Sequence, residues 1–329
     1  MILIFSETLD ITTDRVMEWL FSFGEYDILR INEGTPVLIK RLNLSAEPKI
    51  IISAKGREFS LDEVEAFWYR RGRLTFNIEP YTDIEDVECV GRIKKFHQDE
   101  WRIVRNYLIR KLEKKPHIGN FFRTLTNKLT NLEIAQSCGL CIPPTFISSY
   151  ASEFKVQLES MGECICKPIS EVLGFEHDGH AYETFTTTAS PDAMVGNTVF
   201  CAPQLVQKRI EKWVELRVFI VNDKVFSMAI FSQNHDATSV DYRDRDAATK
   251  IRRVPFTLPE EIKEKLLLFM GKSGLNTGSI DMVLDKKGSY IFLEVNPVGV
   301  IDMVSTPCNY NIEKILAQQI IELMSNANQ

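Results

Sequence analysis

The stretch Leu293-Glu294-Val295-Asn296-Pro297 ends the second strand of a hairpin that the sequence predicts near the C-terminus. The first strand of this hairpin, residues 279–285, carries Asp281, and both acids interrupt strands that are otherwise apolar. Residues i and i+2 of a strand share a face, so Glu294 and Asn296 point the same way and Asp281 can join them from the neighbouring strand. Two carboxylates and an amide oxygen are hard ligands that suit Mg²⁺. Because unpaired carboxylates in apolar strands are costly, the pattern favours a magnesium site, although spacing alone leaves a solvated surface hairpin open.

Two lysines lie upstream of this hairpin at the ends of predicted elements. Lys167 ends an apolar strand at residues 163–167, and Lys128 lies near the start of a short helix at residues 126–138. Lysines at such positions can reach phosphate oxygens as point charges, and the glycine-containing loop after Lys167 could add backbone N–H groups. Either lysine alone is more typical of a solvated surface, so the phosphate interpretation depends on the combination with the acidic hairpin.

A charged strand face lies between the lysines and the hairpin. Residues 207–217 read Gln-Lys-Arg-Ile-Glu-Lys-Trp-Val-Glu-Leu-Arg, in which Glu215 and Arg217 share one face of a predicted strand. An exposed ion pair would give the same pattern. Residues 241–246, which include Arg243, are also highly charged, and a solvated loop explains them equally well.

The order of predicted elements divides the chain into three parts. Strands and helices alternate up to Pro116, a small mixed α/β part follows, and the last part is rich in strands. We therefore expect an α/β (α+β) protein with domains at residues 1–118, 119–200 and 201–329. The 39 Lys and Arg against 45 Asp and Glu give a net charge of −6, which argues against a nucleic-acid partner held by a global basic field.

Several other classes of protein lack support in the sequence. The first ten residues have no basic n-region, and no stretch approaches the ~18 apolar residues of a membrane helix. Cys138 and Cys141 form a CxxC without a second pair, so we expect a reduced cytoplasmic protein rather than a zinc site. Residues 270–273 end like a phosphate-binding P-loop, but Leu266 stands where that motif needs glycine.

Taken in order, these elements resemble the ATP-grasp fold, and the combination is far more specific than any member. Within that superfamily the chain looks like the peptide maturases of the grasp-with-spasm type, relatives of the microviridin ligases that make ω-ester-containing peptides (graspetides). The resemblance covers essentially the whole chain. It rests on Tyr69-Arg70-Arg71-Gly72 and on residues 183–187 (Glu-Thr-Phe-Thr-Thr), 215–219 (Glu-Leu-Arg-Val-Phe) and 228–233 (Met-Ala-Ile-Phe-Ser-Gln).

The resemblance implies three lobes with ATP bound between the central and C-terminal lobes, and it implies roles for individual residues. Glu215 would bind the ribose hydroxyls, and Arg217 and Arg243 would stabilise the transferring phosphoryl group. The remaining roles are phosphate binding by Lys128 and Lys167, adenine recognition by a hinge of Gln207, Lys208, Arg209 and Ile210, and Mg²⁺ binding by Asp281, Glu294 and Asn296. Lys208 departs from the family pattern, which commonly has Glu after the hinge Gln.

The implied activity is ATP-dependent ligation within a ribosomally made precursor peptide. ATP would activate a Glu or Asp side chain as an acyl phosphate, and a Thr or Ser hydroxyl or a Lys amine would displace phosphate, giving an ω-ester or ω-amide. The family implies a leader segment beside a Thr- and Glu-rich core, and we place leader recognition around residues 175–188. A homodimer stays open. The alternatives are an ATP-grasp ligase that adds amino acids to a peptide or protein terminus, and a non-catalytic ATP-binding peptide scaffold.

Overall fold

The computed structural model describes residues 1–45, 49–76, 86–123, 127–170, 173–184, 186–189, 199–232 and 251–327. The chain divides into two compact units. The first unit comprises Met1–Thr124 and Asn311–Gln329, and the second comprises Leu125–Tyr310. The division into domains at 1–118, 119–200 and 201–329 stays a prediction, and the C-terminal helix, Ile312–Ala327, packs in the first unit rather than with the preceding strands.

The first unit is built around a parallel sheet. Strands β2, β1, β6 and β7 pair in that order and all run parallel, while β3, β4 and β5 form a separate antiparallel sheet. All five residues of β1 are buried, as expected of a parallel strand covered on both faces. The elements are β1 (Ile2–Ser6), α1 (Ile11–Ser22), β2 (Ile28–Asn32), β3 (Val37–Asn43), β4 (Lys49–Ala54), β5 (Arg57–Ser60), β6 (Ala66–Tyr69), α2 (Val87–Leu112) and β7 (His117–Ile118).

The C-terminal helix completes the core of this unit by packing against α1. Arg15 of α1 lies 3.6 Å from Glu313, and the Lys314 ammonium lies 5.0 Å from the centre of the Trp19 ring. The apolar face of the helix is fully buried through Ile312, Leu316, Ala317 and Ile320. At ~25 cal/mol per Å² of apolar area, a stripe of this kind stabilises the unit by several kcal/mol before the cost of ordering the chain.

The motif Tyr69-Arg70-Arg71-Gly72 shapes the carboxyl end of β6. Arg70 is only 4% exposed, and its Nε lies 3.4 Å from a carboxylate oxygen of Asp10, which also caps α1. The Tyr69 hydroxyl donates to the Gly72 carbonyl at 2.8 Å, and burial raises the pKa of Tyr69 to about 12. This part of the family resemblance therefore has a structural role in the first unit.

Helix α2, Val87–Leu112, is the longest helix of the first unit and has clear signals at both ends. Asp86 begins it by accepting from the backbone N–H groups of Glu88 and Cys89, and Arg110 and Lys111 lie in its last turn, where cations are favourable. Most of its residues are polar or exposed. No helix in the part of the chain that the structure describes is long and apolar enough to cross a bilayer.

The second unit contains two larger antiparallel sheets and a separate hairpin. One sheet has the order β12-β9-β13-β8 and the other has the order β16-β15-β14-β17-β18. Its elements are α3 (Lys128–Ser137), β8 (Thr145–Tyr150), α4 (Ala151–Met161), β9 (Cys164–Lys167), β10 (Gly174–His177), β11 (His180–Glu183), β12 (Thr187–Ala189), β13 (Val199–Lys208), β14 (Lys212–Val221), β15 (Lys224–Phe231), β16 (Arg252–Pro255), α5 (Glu260–Ser273), β17 (Thr277–Asp285), β18 (Tyr290–Asn296) and α6 (Asp302–Cys308).

The five-stranded sheet has one face buried against helices. Val214, Leu216 and Val218 of β14 lie in a core that includes Leu132 of α3 and Phe269 of α5. Alternate residues point to opposite faces of a strand, so this burial leaves Glu215 and Arg217 on the other face. A smaller core joins α4 to the four-stranded sheet through Phe154, Leu158, Cys164 and Val206.

The loop expected after Lys167 is instead partly a hairpin. Strands β10 and β11 pair from Gly174 opposite Glu183 to His177 opposite His180. The turn residues Asp178 and Gly179 both have positive φ, 50° and 74°, as two-residue hairpin turns require. The expectation of a glycine-containing loop after Lys167 is therefore wrong from Gly174 onward, because an Asp-Gly turn there brings two short strands together.

Gly119 lies where two backbone segments of the first unit meet, and this predicts a large effect of adding one methyl group. A Cβ at Gly119, where φ is +80°, would lie 2.1 Å from the Tyr69 carbonyl oxygen. Gly24 has a similar φ of +92° with nothing within 4 Å of the added atom. We expect G24A to lower the free energy of unfolding by about 1 kcal/mol and G119A by about 3 kcal/mol or more, measured by urea unfolding. Equal effects would show that the close approach at Gly119 is easily relaxed.

Candidate functional site

The register of three adjacent strands places the predicted charged residues on one face. Arg217 of β14 lies opposite Asp281 of β17, and Asp281 lies opposite Glu294 of β18. Asn296 lies opposite Ser279 at the end of the same pair of strands. The three oxygen ligands proposed from sequence are therefore brought together on neighbouring strands.

An irregularity in β18 adds one side chain to the face of the sheet that carries these residues. The register shifts between Asp281 and Met282, so that Leu293 has no direct partner on β17. Leu293 and Glu294, which are adjacent in sequence, consequently both line the same cavity. An extra residue of this kind turns a strand locally, and such features are common beside functional sites.

Each carboxylate of the site has a nearby cation. Arg217, which is 8% exposed, places its Nη1 3.5 Å from Asp281 Oδ1. The Lys128 ammonium lies 3.8 Å from Glu294 Oε2, and it also donates to the Ser170 carbonyl at 2.8 Å. Asp281 and Glu294 keep 29% and 39% of their side-chain surface exposed, so both carboxylates stay accessible to a ligand.

A cavity of about 420 Å³ joins these residues to the lysine that ends β9. Its polar lining contains Lys128, Lys167, Gln207, Glu215, Arg217, Asp281, Glu294 and Asn296. Its apolar lining contains Ile165, Leu216, Ile230, Met282, Leu293, Val300 and Met303. The cavity thus offers cations, carboxylates and an apolar wall in one place, all within the second unit.

The predicted hinge residues divide between two cavities. Gln207 is buried, lines the first cavity, and donates from Nε2 to the Thr145 hydroxyl at 2.8 Å. Lys208, Arg209 and Ile210 line a second cavity of about 600 Å³. The backbone N–H groups of Lys208 and Arg209 donate to the carbonyls of Pro144 and Glu163. Arg243 lies outside the described residues.

Glu215 is held by two side chains, Lys212 and Ser232, for which the sequence pattern predicts no role. Its Oε1 accepts from the Lys212 ammonium and from the Ser232 hydroxyl, each at 2.5 Å. Lys212 lies in the charged run 207–217, and Ser232 lies in the motif at residues 228–233, but strand alternation alone puts Lys212 on the opposite face from Glu215.

The turn after β18 fixes Asn296. Asn296 Oδ1 accepts from the Val298 N–H at 3.0 Å, and the Asn296 carbonyl accepts from the Gly299 N–H at 3.1 Å. Gly299 packs directly on Ser279, since a Cβ there would lie 2.4 Å from both Cβ and Oγ of that serine. The amide of the candidate ligand is thus positioned by a turn that needs a small residue at its end.

Other metal-binding arrangements have no support in the described part of the chain. No group of three or more His, Cys, Asp and Glu side chains is close enough there to hold a metal ion. The Asp281–Glu294–Asn296 set contains two carboxylates and one amide. Cys138 is buried while Cys141 is exposed, and both are free thiols.

Comparison with known proteins gives matches among solved structures. No family model and no curated protein matches the sequence. The RiPP-associated ATP-grasp ligase of Chryseobacterium gregarium, solved with ADP and with a leader and core peptide, superposes with a TM-score of 0.81 at 24% identity, covering 99% of this chain and 96% of that one. The macrocyclase MdnC of Microcystis aeruginosa MRC, bound with precursor peptide MdnA, gives 0.77 at 26% identity over 98% and 99% of the two chains. This chain has the ATP-grasp fold.

A structure with a different ligase activity superposes less well on this chain. D-alanyl-alanine synthetase A of Vibrio cholerae matches over 98% of both chains with a TM-score of 0.56 and 14% identity. The peptide ligases are therefore closer in structure to this ATP-grasp chain than the dipeptide synthetase is. The predicted fold class and the structural resemblance to peptide-modifying ATP-grasp ligases are confirmed.

The packing of Gly299 on Ser279 predicts a rescue between two substitutions in this ATP-grasp chain. G299A should lower the free energy of unfolding by about 2 kcal/mol through overpacking, and S279G alone by about 1 kcal/mol. The double variant should be close to S279G alone, because the glycine removes both atoms that clash. A double-mutant cycle by thermal unfolding, with an expected coupling of about 1–3 kcal/mol, measures this. Additive effects would contradict the contact.

Proposed function

We propose that this chain is an ATP-dependent ligase that cyclises a ribosomally made precursor peptide. It joins Glu or Asp side-chain carboxylates of the peptide to Thr or Ser hydroxyls or to Lys amines, guided by a leader segment. The observation that carries the proposal is the single cavity in which Asp281, Glu294 and Asn296 face Lys128 and Lys167. The full-length structural likeness to ligases solved with ADP and peptide supports it.

The donor set of the proposed metal site fits Mg²⁺. Asp281 and Glu294 lie directly opposite each other, and antiparallel partners have Cα atoms about 4.5–5.5 Å apart. Together with Asn296 they supply oxygen donors, and Mg²⁺ typically takes a few such ligands plus phosphate and water oxygens. Mg²⁺ held there would offset the charge that develops on the phosphates of ATP.

The remaining lining fits a nucleotide. Lys128 and Lys167 would bind the phosphates, and Glu215 would accept from the ribose hydroxyls. Ile165, Ile230 and Leu293 provide an apolar wall for the adenine. The N–H groups of Lys208 and Arg209 are already used within the protein, and Ile210 lines the second cavity, so adenine recognition by the hinge backbone is kept as proposed from the resemblance. A backbone contact of this kind is unaffected by the Lys208 side chain.

The proposed reaction consists of two displacement steps. A carboxylate oxygen of the peptide attacks the γ-phosphorus of ATP, the bond to the β-phosphate oxygen breaks, and ADP leaves. A hydroxyl oxygen or amine nitrogen of the same peptide then attacks the acyl carbon, and phosphate leaves as the nucleophile loses its proton. Arg217, beside Asp281, would stabilise charge on the transferred group, and we keep the same proposed role for Arg243. Each link removes one water from the peptide.

The hairpin β10–β11 is the proposed contact for the leader. Phe175 and Tyr182 are stacked, with ring centres 5.1 Å apart and planes at 12°, yet they remain 50% and 47% exposed. Leu173 beside them is 59% exposed. A cluster of exposed apolar side chains suits an apolar peptide segment. Within the described residues β10 pairs only with β11, so the hairpin also presents strand edges.

We place the protein in the cytoplasm. The described cysteines, Cys89, Cys138, Cys141, Cys164, Cys166 and Cys308, are all free thiols, which is typical of a reducing compartment. The proposed partners are the precursor peptide and, as an open prediction, a second copy of the chain. We propose no nucleic-acid partner and no membrane insertion.

Loss of one metal ligand tests the proposed activity. We expect E294Q to abolish ADP release when the enzyme is given Mg²⁺, ATP and a leader-bearing Thr- and Glu-rich precursor, while leader binding is retained. E264Q, which changes an exposed residue of α5, is the matched control and should be fully active. Product mass decides the chemistry, since cyclisation loses one water per bond and amino-acid addition gains mass. Normal turnover by E294Q would sink the metal assignment, and no turnover by the native protein would favour the scaffold alternative.

Arg217 should act on the chemical step. We expect R217A to lower kcat by about 10²–10³ while changing the ATP dissociation constant much less, because the charge it faces develops during transfer. R217K should recover part of the rate. Thermal unfolding of both variants controls for the loss of the contact with Asp281. An effect confined to ATP affinity would contradict this role.

A further inference from the structure

Lys212 and Glu215 form an ion pair that is largely withdrawn from water. Their side chains are only 12% and 14% exposed, and the two charged atoms lie 2.5 Å apart. By comparison, the pair of Lys265 and Glu261 on α5 has exposures of 28% and 75%. Exposed pairs contribute little, whereas a pair this enclosed strongly restricts the orientation of both side chains.

The two residues meet because β14 is irregular at its start. Residues three apart in a regular strand point to opposite faces. The register of β14 against β17 shifts between Lys212 and Val214, which moves Lys212 out of simple alternation. Lys212 therefore reaches Glu215 from the side of the second cavity, while Glu215 itself lines the first.

Ser232 completes the arrangement. Ser232 is 1% exposed, and its hydroxyl donates to Glu215 Oε1, the same oxygen that Lys212 contacts. Among the described residues, both polar contacts of this carboxylate use Oε1. No side chain in the described ranges is bonded to the second oxygen, Oε2, which leaves it to accept hydrogen bonds from a ligand in the cavity.

We propose that Lys212, together with Ser232, is a positioning residue that fixes the Glu215 carboxylate so that Oε2 accepts from the ribose hydroxyls of the nucleotide. This inference rests on the proposed function, in which Glu215 binds ribose. Holding an acceptor in its binding orientation before the ligand arrives removes the cost of ordering it. Lys212 acts through Glu215 and determines how strongly the site distinguishes a ribonucleotide from an analogue without hydroxyls.

The test compares ADP with 2′,3′-dideoxyADP by isothermal titration calorimetry in the presence of Mg²⁺. The preference is the ratio of the two dissociation constants. We expect K212M to reduce this preference about tenfold, the effect of a hydrogen bond to a charged group. S232A should reduce it less, and K212R, which keeps the charge, should lie closer to the native protein than K212M. K265M, which breaks an exposed pair on α5, should leave the preference unchanged.

The outcomes separate this inference from the proposed function. A variant that is only less stable weakens both ligands equally, so the ratio is unaffected by a purely structural loss. If E215Q loses the preference and K212M keeps or increases it, the positioning role of Lys212 is overturned while the ribose role of Glu215 stands. If E215Q keeps the native preference, Glu215 does not bind the ribose hydroxyls. The ribose role of Glu215 and the positioning role of Lys212 are then both wrong.

Discussion

The antiparallel register of β14, β17 and β18 is the constraint on which the candidate site depends. It sets Arg217 opposite Asp281 and Asp281 opposite Glu294, while the alternate residues of β14 are committed to the core against α3 and α5. A slip of one residue would move every one of these side chains to the other face. Burial of the apolar residues therefore fixes the strand register, and the register fixes the positions of the charged residues in the site.

Charge in the site is balanced before any ligand is considered. Arg217 lies beside Asp281 and Lys128 beside Glu294, so neither carboxylate is a lone charge in a partly buried setting. Under the proposed function, the bound metal and nucleotide would replace Arg217 and Lys128 as the charged partners of these carboxylates. The site on its own is therefore not strongly charged. Lys128 would pass from Glu294 to phosphate as Mg²⁺ takes its place. Metal and nucleotide would then stabilise each other's binding, as linkage requires.

Much of this site could be predicted from sequence because its pattern is local. Glu294 and Asn296 are two apart in one strand, and Asp281 interrupts an apolar run in the neighbouring strand, so simple alternation brings them together. The contact between Lys212 and Glu215 could not be predicted, because it depends on a register shift that has no clear sequence signal. The packing of Gly299 on Ser279 likewise joins segments that are far apart in sequence.

The fold shows the same division between local and long-range information. Local apolar periodicity predicts the alternation of strands and helices up to Pro116, and the Asp178-Gly179 pair is a local signal for the turn of the hairpin β10–β11. Helix α6 was missed because Pro307 lies inside it. That the C-terminal helix packs against α1 depends on tertiary contacts across almost the whole chain, which periodicity does not report.

The return of the C-terminal helix to the first unit has a consequence for how the protein is made. Residues 1–124 are translated before the second unit, yet the apolar face that completes their core, from Ile312 to Ile320, is translated after it. The second unit is continuous in sequence, so all of its core residues are translated before the C-terminal helix. At a synthesis rate of ~5–20 residues per second, the C-terminal helix is made on the order of ten seconds or more after residues 1–124. The first unit can therefore complete its core only after the whole of the second unit has been translated.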